Sequence, residues 1–188
     1  MTFECLDRRR SVPSRQLSAP GPDDTLLMRM LQSAVRVPDH GKRVPFRFLR
    51  ITGDARLALG KLLEARTAVR EPHAGEAILH KERARFTFAP LVLAVIAEQG
   101  PDEKIPASER YATAACVCFA LLQAAQAAGF GAQWLTGWAA TDPVIRAHLG
   151  IDADEAIVGF IHIGTPLMEA PERDRPDPST LLSDWTPR

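Results

Sequence analysis

The alternation of apolar and polar positions along the chain predicts helices and strands in mixed order. Leu27, Met30, Leu31 and Ala34 recur at helical spacing, whereas the run from Phe46 alternates bulky apolar with basic residues, which is typical of a half-buried strand. The same patterns predict helices over Thr25–Val35, Asp54–Val69, Gly75–Arg85, Tyr111–Ala128 and Asp142–Leu149, and strands over Phe46–Ile51, Leu91–Ala97, Ala132–Trp138 and Glu155–Gly164. No repeat or linker interrupts them, so we expect a single domain over residues 1–188 that ends in an extended Pro-rich tail from about 166, able to wrap another surface.

Local signals predict where several helices begin and end. An Asp of the Pro20–Asp24 loop is available as the N-cap of the first long helix, and Asp54 is expected to cap the next. Asp142 followed by Pro143 suits the N-cap and N1 positions of a short helix. Gly129 is placed to end the long helix before it.

The segment Tyr111–Ala128 holds eighteen residues without one charge. A helix that is apolar on all sides is either buried or lies in a membrane. A membrane-spanning helix needs about 20 strongly apolar residues, whereas this run is mostly Ala with Thr113, Gln123 and Gln126. We therefore expect a buried helix whose small residues suit close packing, as against a partner subunit, and no membrane association.

Composition narrows the class of protein. The 188 residues are 46% hydrophobic and 24% charged with a formal net charge of zero, which indicates a globular protein and argues against nucleic-acid binding. Cys5, Cys116 and Cys118 form neither a disulfide framework nor a zinc motif, so we expect a reducing, cytoplasmic setting. Met1–Glu4 lacks the features of a signal peptide.

Common catalytic motifs are absent from the sequence. There is no phosphate-binding loop of nucleotide triphosphatases, no GxGxxG dinucleotide motif and no GxSxG nucleophile elbow. The five histidines lack metal-ligand spacing, and His73 and His80 are better explained as residues of a solvated surface. We therefore expect no metal site and no essential acid–base residue.

The most informative polar residues are Arg9, Arg10 and Ser11. Guanidinium groups make planar, permanently charged contacts and a hydroxyl can donate or accept, so the triplet suits a phosphate and a polar ring edge. Basic pairs beside Ser are also common on solvated surfaces, and that alternative stays open for the triplet alone. Arg36 can likewise be a cation favoured at a helix C-terminus, while His40 can be a turn residue.

Taken in order, these residues resemble the small bacterial flavin-dependent NAD(P)H nitroreductases over nearly the whole chain. The resemblance rests on the opening Arg9–Ser11, the turn Arg36–His40, the segment Pro45–Phe48, the pair Ala128–Gly131 and Trp134–Gly137, and the closing strand Val158–Pro166. It implies an α+β fold with a mixed, mainly antiparallel sheet flanked by helices, in an intertwined homodimer that binds FMN at the subunit interface.

The resemblance also implies roles for individual residues. Arg9, Arg10 and Ser11 would hold FMN from one side, Arg36 and His40 would contact it from the same or the partner chain, and Trp134, Leu135 and Thr136 would line it from the other side. The segment comprising Ala124, Ala125, Gln126, Ala127, Ala128 and Gly129 would meet NAD(P)H.

The chain departs from the family pattern at three positions. Val44 stands in place of a Gln, Phe46 in place of a Trp, and Leu135 in place of an Arg whose charge Lys42 or Arg43 could replace. The segment 70–88, which often shapes the substrate pocket in such folds, has no clear match. Substrate identity is therefore the part that the resemblance leaves open.

The implied activity is that of an FMN-dependent NAD(P)H oxidoreductase. Hydride would pass from NAD(P)H to the flavin, and electrons would then pass to a nitroaromatic, a quinone or a similar small acceptor in a ping-pong cycle, with protons from solvent or His40. Two alternatives stay open: a relative that uses the fold for dehalogenation or flavin breakdown, and a flavin-binding sensor without turnover.

Overall fold

The computed structural model describes residues 3–187, which form a sheet with helices on both faces. Met1 and Thr2, at the start of the segment where no signal peptide is expected, lie outside the described residues. The helices are α1 (Glu4–Asp7), α2 (Asp24–Ala34), α3 (Asp54–Arg70), α4 (Glu76–Ala84), α5 (Ala107–Ala127) and α6 (Pro143–His148). The strands are β1 (Leu17–Ser18), β2 (Phe46–Thr52), β3 (Leu91–Glu98), β4 (Gly131–Leu135) and β5 (Glu155–Pro166).

Strand β3 is the centre of the sheet, between β2 and β5, and the outer edge of β5 carries both β1 and β4. Within residues 3–187 all four strand pairs are antiparallel. The apolar run of β3 is buried on both faces: Leu91, Leu93, Val95 and Ala97 pack with α2 and α5, whereas Val92, Ala94 and Ile96 pack with α3 and α6. The expected α+β fold with a mainly antiparallel sheet is thus confirmed.

Two of the three predicted helix caps form. The carboxylate of Asp23 accepts a hydrogen bond from the Leu26 N–H at 2.8 Å, and that of Asp142 accepts from the first turn of α6. The prediction for Asp54 was wrong, because Asp54 is the first residue of α3 and Gly53 takes the cap position without a side-chain bond. Gly53 has φ +52°, a left-handed turn that joins β2 directly to α3.

Two predicted boundaries also differ from the structure. Strand β4 ends at Leu135, not at Trp138, because Gly137 (φ +100°) turns the chain into a short 3₁₀ turn over Trp138–Ala140. Helix α5 begins at Ala107, so its charged first turn was missed. Its predicted end is confirmed: Gly129 has φ +83°, and the Phe130 N–H returns to the Ala125 carbonyl at 2.9 Å.

Helix α5 is buried on one side only. Ala114, Val117, Cys118 and Leu121 are fully buried against the sheet. The opposite side, which includes Ala112, Cys116 and Phe119, is exposed although it carries no charge. Among the described residues no helix has the length and apolarity to cross a membrane. The exposed uncharged face of α5 is therefore the side on which the expected partner subunit could pack.

A second core on the other sheet face contains an unusual histidine. His162 of β5 is fully buried, and neither ring nitrogen has a hydrogen-bond partner among the described residues. Burial, and to a smaller extent the nearby Arg85 guanidinium, lowers the pKa of His162 to about 4. Its ring lies 5.3 Å from that of Phe86. The imidazole is therefore neutral at physiological pH.

Candidate functional site

Four of the predicted site residues converge on one cleft of about 350 Å³, named here the Arg9 cleft. Its lining consists of two residues of the N-terminal segment, two of α5 and two around the end of β4: Arg9, Ser11, Phe119, Leu122, Trp134 and Thr136. Nη1 of Arg9 donates to Oγ of Ser11 at 3.2 Å. The cleft thus combines a cation and two hydroxyls with an aromatic and aliphatic wall, and it opens beside the exposed face of α5.

The N-terminal segment reaches the cleft because it is bonded along β4. The Val12 N–H donates to the Ala132 carbonyl at 3.0 Å, and the Ser14 N–H donates to Oε1 of Gln133 at 2.5 Å. These bonds place the residues just before them, including Arg9 and Ser11, beside the end of the same strand.

Trp134 is held rigidly in the wall of the cleft. Its Nε1–H donates to the Val158 carbonyl at 3.2 Å. The indole lies directly over Gly159, where a Cβ atom would come within 1.9 Å of Nε1. The glycine in the closing strand therefore serves to make room for the Trp134 ring.

Arginines from the C-terminal tail add to the positive charge at the cleft. The pKa of Arg9 is lowered, mainly by burial and then by the charges of Arg175, Arg173 and Arg10. The sequence offered no signal for the two tail arginines beyond their place in a Pro-rich segment. Arg10 and Arg175 both form ion pairs with Glu172, so this carboxylate offsets part of the positive charge that the tail brings to Arg9.

Arg10 does not point into the Arg9 cleft. Its guanidinium donates to the Asp7 carbonyl at 2.6 Å and forms an ion pair with Glu172 of the tail. Its backbone N–H donates to Oε1 of Gln126 at 3.1 Å. Arg10 therefore anchors the tail against the end of α5, and of the predicted triplet only Arg9 and Ser11 line the cleft.

The segment Ala124–Gly129 borders a different, larger cavity of about 660 Å³, named here the tail cavity. Gln126 and Ala127 line it together with Arg10, while Ala125 is fully buried in the core. Leu122 lines both the tail cavity and the Arg9 cleft, so the two are neighbours on either side of this side chain.

Leu135 lies apart from the cleft. Successive side chains of a strand point to opposite faces, so Leu135 of β4 projects away from the face that carries Trp134. It is half-buried and its register partner on β5 is Phe160. The arginine expected at this position is thus not replaced within the Arg9 cleft, and a guanidinium that does lie beside this end of β4 is that of Arg85, whose Nη1 would be 3.5 Å from a Cβ atom at Gly137.

Arg36 and His40 lie at the other end of α5. The Thr113 hydroxyl donates to the Pro38 carbonyl at 3.1 Å, and Nδ1 of His40 lies 2.7 Å from Oε2 of Glu109. About ten helical residues, or roughly 15 Å, separate Glu109 from the Phe119 of the cleft. Within one chain the structure therefore does not bring Arg36 and His40 to the Arg9 cleft.

Lys42 and Arg43 belong to this distant end as well. The Arg43 guanidinium is paired with Asp102, with Nε 3.1 Å from the carboxylate. Lys42 is exposed in the same loop. Neither residue compensates within one chain for the arginine that Leu135 replaces.

Known proteins resemble this chain over most of its length. The family model described as "Nitroreductase family" matches residues 6–165. The chain is 33% identical over 182 residues to the Escherichia coli K12 protein named "Putative NAD(P)H nitroreductase YdjA", covering 96% of this chain and 97% of that one.

Solved structures show the same fold. A nitroreductase-like protein from Bacillus cereus superposes with a TM-score of 0.78 at 25% identity, over 97% of both chains. A nitroreductase with bound FMN from Bacteroides fragilis superposes with a TM-score of 0.71 at 18% identity, over 98% of both chains. With a family model that matches most of its length, this chain belongs to the nitroreductase family.

Proposed function

We propose that the protein is an NAD(P)H oxidoreductase that binds FMN in the Arg9 cleft, between two copies of the chain. The observation that carries the proposal is the convergence of Arg9, Ser11, Trp134 and Thr136 beside the tail arginines. The family of the chain, the name of the E. coli relative and the FMN bound in the B. fragilis structure support it.

The chemistry of the cleft fits FMN. Within residues 3–187 the Arg9 guanidinium forms no ion pair, whereas Arg10 and Arg175 both pair with Glu172; a phosphate would give Arg9 its anionic partner. Phe119, Leu122 and Trp134 offer an apolar wall of the kind that an aromatic ring system needs. We assign Arg9, Ser11 and the tail arginines to the phosphate and polar edge, and Trp134 with Phe119 to the ring.

A second copy of the chain is needed to complete the site. The Arg9 cleft lies at Phe119 and Leu122 of α5 and the Arg36–His40 turn lies at Glu109 and Thr113, so Cys116 is close to the midpoint between the two. If two copies pack their α5 helices antiparallel across a two-fold axis near Cys116, each cleft faces the Arg36–His40 turn of the other copy. The exposed uncharged face of α5 becomes the centre of this homodimer.

Each group then has a distinct task. FMN, when bound, supplies hydride and electron transfer, which side chains alone cannot perform. Arg36 from the second copy would add positive charge where negative charge develops, and His40 would hold or pass a proton. Gln126 and Ala127 would meet NAD(P)H from the tail cavity, with Leu122 between the two compartments.

The test follows the absorbance of the bound flavin in two separate half-reactions, reduction and reoxidation, on the purified protein reconstituted with FMN. Anaerobic NADH or NADPH should bleach the bound flavin, and a nitroaromatic or a quinone should restore its colour in a separate step, with parallel-line kinetics in steady state. A flavoprotein that neither nucleotide reduces would instead be a flavin-binding sensor, and a protein that binds no FMN would refute the proposal.

A further inference from the structure

The loop over residues 40–44 combines solvent exposure with a constrained backbone. All five residues are exposed, with Val44 61% exposed. Even so, Gly41, Lys42 and Val44 have φ values of +69°, +51° and +50°. A left-handed conformation is unfavourable for Lys and rarest for a β-branched residue such as Val. An exposed loop with no packing of its own would relax out of this conformation unless something held it.

The carboxylate of Asp39 holds the loop. One oxygen accepts the Arg43 N–H at 3.1 Å and the other accepts the Val44 N–H at 2.8 Å. The Asp39 carbonyl also accepts the Lys42 N–H at 3.2 Å. Both carboxylate oxygens thus accept from the backbone of one turn; Lys42 lies inside the ring that these bonds close, and the N–H of Val44 closes it.

The ends of the loop are tied to the rest of the fold. The Arg43–Asp102 ion pair and the His40–Glu109 contact join it to the segment before α5 and to α5 itself. A Cβ atom at Gly41 would lie 3.4 Å from the Ile105 side chain. The loop is therefore fixed on a rigid base while its outer surface remains open.

We propose that Asp39 is a positioning residue for the flavin site: its carboxylate holds residues 40–44 in the strained conformation in which His40 meets the FMN of the other subunit. The proposal rests on the proposed function, since it is the interfacial FMN that gives the strain a use. Strain in an exposed segment is retained where a conformation is needed for binding, and preorganisation removes the ordering cost at the moment of binding. Asp39 itself need not touch the cofactor.

The experiment compares FMN binding to the full-length dimeric protein with its Asp39→Ala, Asp39→Asn and Asp23→Ala variants, by fluorescence titration. Asp23→Ala is the matched control, because it also removes a carboxylate bond to a backbone N–H at 2.8 Å, at the far end of α2. Asp39→Ala should weaken FMN binding by about tenfold or more, and Asp39→Asn, which keeps one acceptor oxygen, by a smaller factor of about three. Asp23→Ala should change FMN affinity less than about twofold although it lowers the melting temperature.

Two further measurements separate positioning from simple loss of stability. Trypsin should cleave after Lys42 or Arg43 faster in both Asp39 variants than in wild type, and FMN at a concentration near the wild-type Kd should protect wild type more than either variant. The visible circular dichroism of bound FMN should change in the Asp39 variants and not in Asp23→Ala. If wild type binds FMN and both Asp39 variants bind it within twofold of wild type, Asp39 is not a positioning residue and the proposed function still stands. If wild type binds no FMN, the proposed function fails, and this proposal fails with it.

Discussion

Acid should destabilise this protein through the buried imidazole of His162. The ring is neutral in the folded state because burial lowers its pKa from 6.5 to about 4. Since the folded pKa lies below the unfolded one, the stabilisation is fully present above pH 6.5 and is lost as the pH falls from 6.5 towards 4. The difference of about 2.5 pKa units predicts that lowering the pH from 7 to 4.5 reduces the free energy of unfolding by about 2.5 kcal/mol.

The assay is urea unfolding at pH 7 and pH 4.5, at one protein concentration because a dimer gains stability with concentration. His162→Leu is the matched variant, because the leucine side chain is similar in size to imidazole, is apolar and cannot titrate. It also removes two buried nitrogens without partners, so its stability at pH 7 should equal or exceed that of wild type.

Carboxylates also lose their contribution to stability as the pH falls. One is Asp142, whose pKa is lowered, despite burial, by its bonds to Arg66 and to the α6 backbone. This loss is the same in wild type and in His162→Leu. The pH-dependent difference between wild type and His162→Leu therefore isolates the imidazole. Equal losses of stability in the two proteins between pH 7 and pH 4.5 would refute the reasoning.

Three further predictions concern the cleft and the interface. Arg9→Ala should weaken FMN binding by about tenfold or more, the loss expected for a charged hydrogen bond. Arg10→Ala should lower the melting temperature and weaken FMN binding less than Arg9→Ala does. A flavin titration in which Arg10→Ala weakens FMN binding more than Arg9→Ala would contradict the assignment of Arg9 to the cofactor. Gly159→Ala should displace the indole of Trp134, whose Nε1 would lie 1.9 Å from the new Cβ, and should shift tryptophan fluorescence and lower FMN affinity together. In a Cys5→Ser background, a short bismaleimide should cross-link two chains through Cys116, which is exposed in the single chain. The added Cys116→Ser change should leave only monomer on a denaturing gel. No cross-linked species with Cys116 present would place the two-fold axis elsewhere.

The elements governed by local chemistry were predictable from the sequence. Asp23 and Asp142 cap their helices because a carboxylate before an apolar repeat satisfies the first free N–H groups. The continuous apolar run Leu91–Ala97 could be recognised as a central strand because both of its faces are covered. The errors at Asp54 and Trp138 share a cause. Gly53 sets the start of α3 and Gly137 follows the end of β4, each with a positive φ that the pattern of side chains does not record.

The composition of the candidate site was predictable only in part. Arg9 and Arg10 are equivalent in sequence, and only the packing of the tail shows that Arg10 pairs with Glu172 while Arg9 faces the cleft. Arg173 and Arg175 could not be singled out, because their role depends on where an irregular tail crosses the surface. Likewise, the sequence does not record the distance along α5 between the cleft and His40, because that distance depends on the contact between His40 and Glu109.

The most direct test of the account is complementation between chains, because its central claim is that one flavin site is built from two copies. One chain carries Arg9→Ala with Ser11→Ala, the other carries Arg36→Ala with His40→Ala, and heterodimers are isolated by two affinity tags. Neither parental homodimer should retain FMN. In the heterodimer, one site combines the intact Arg9 and Ser11 of one chain with the intact Arg36 and His40 of the other. The second site lacks all four side chains. The heterodimer should therefore bind about one FMN per dimer. Failure of the heterodimer to bind more FMN than its parents would contradict the claim, since that result is expected if each site uses residues of a single chain.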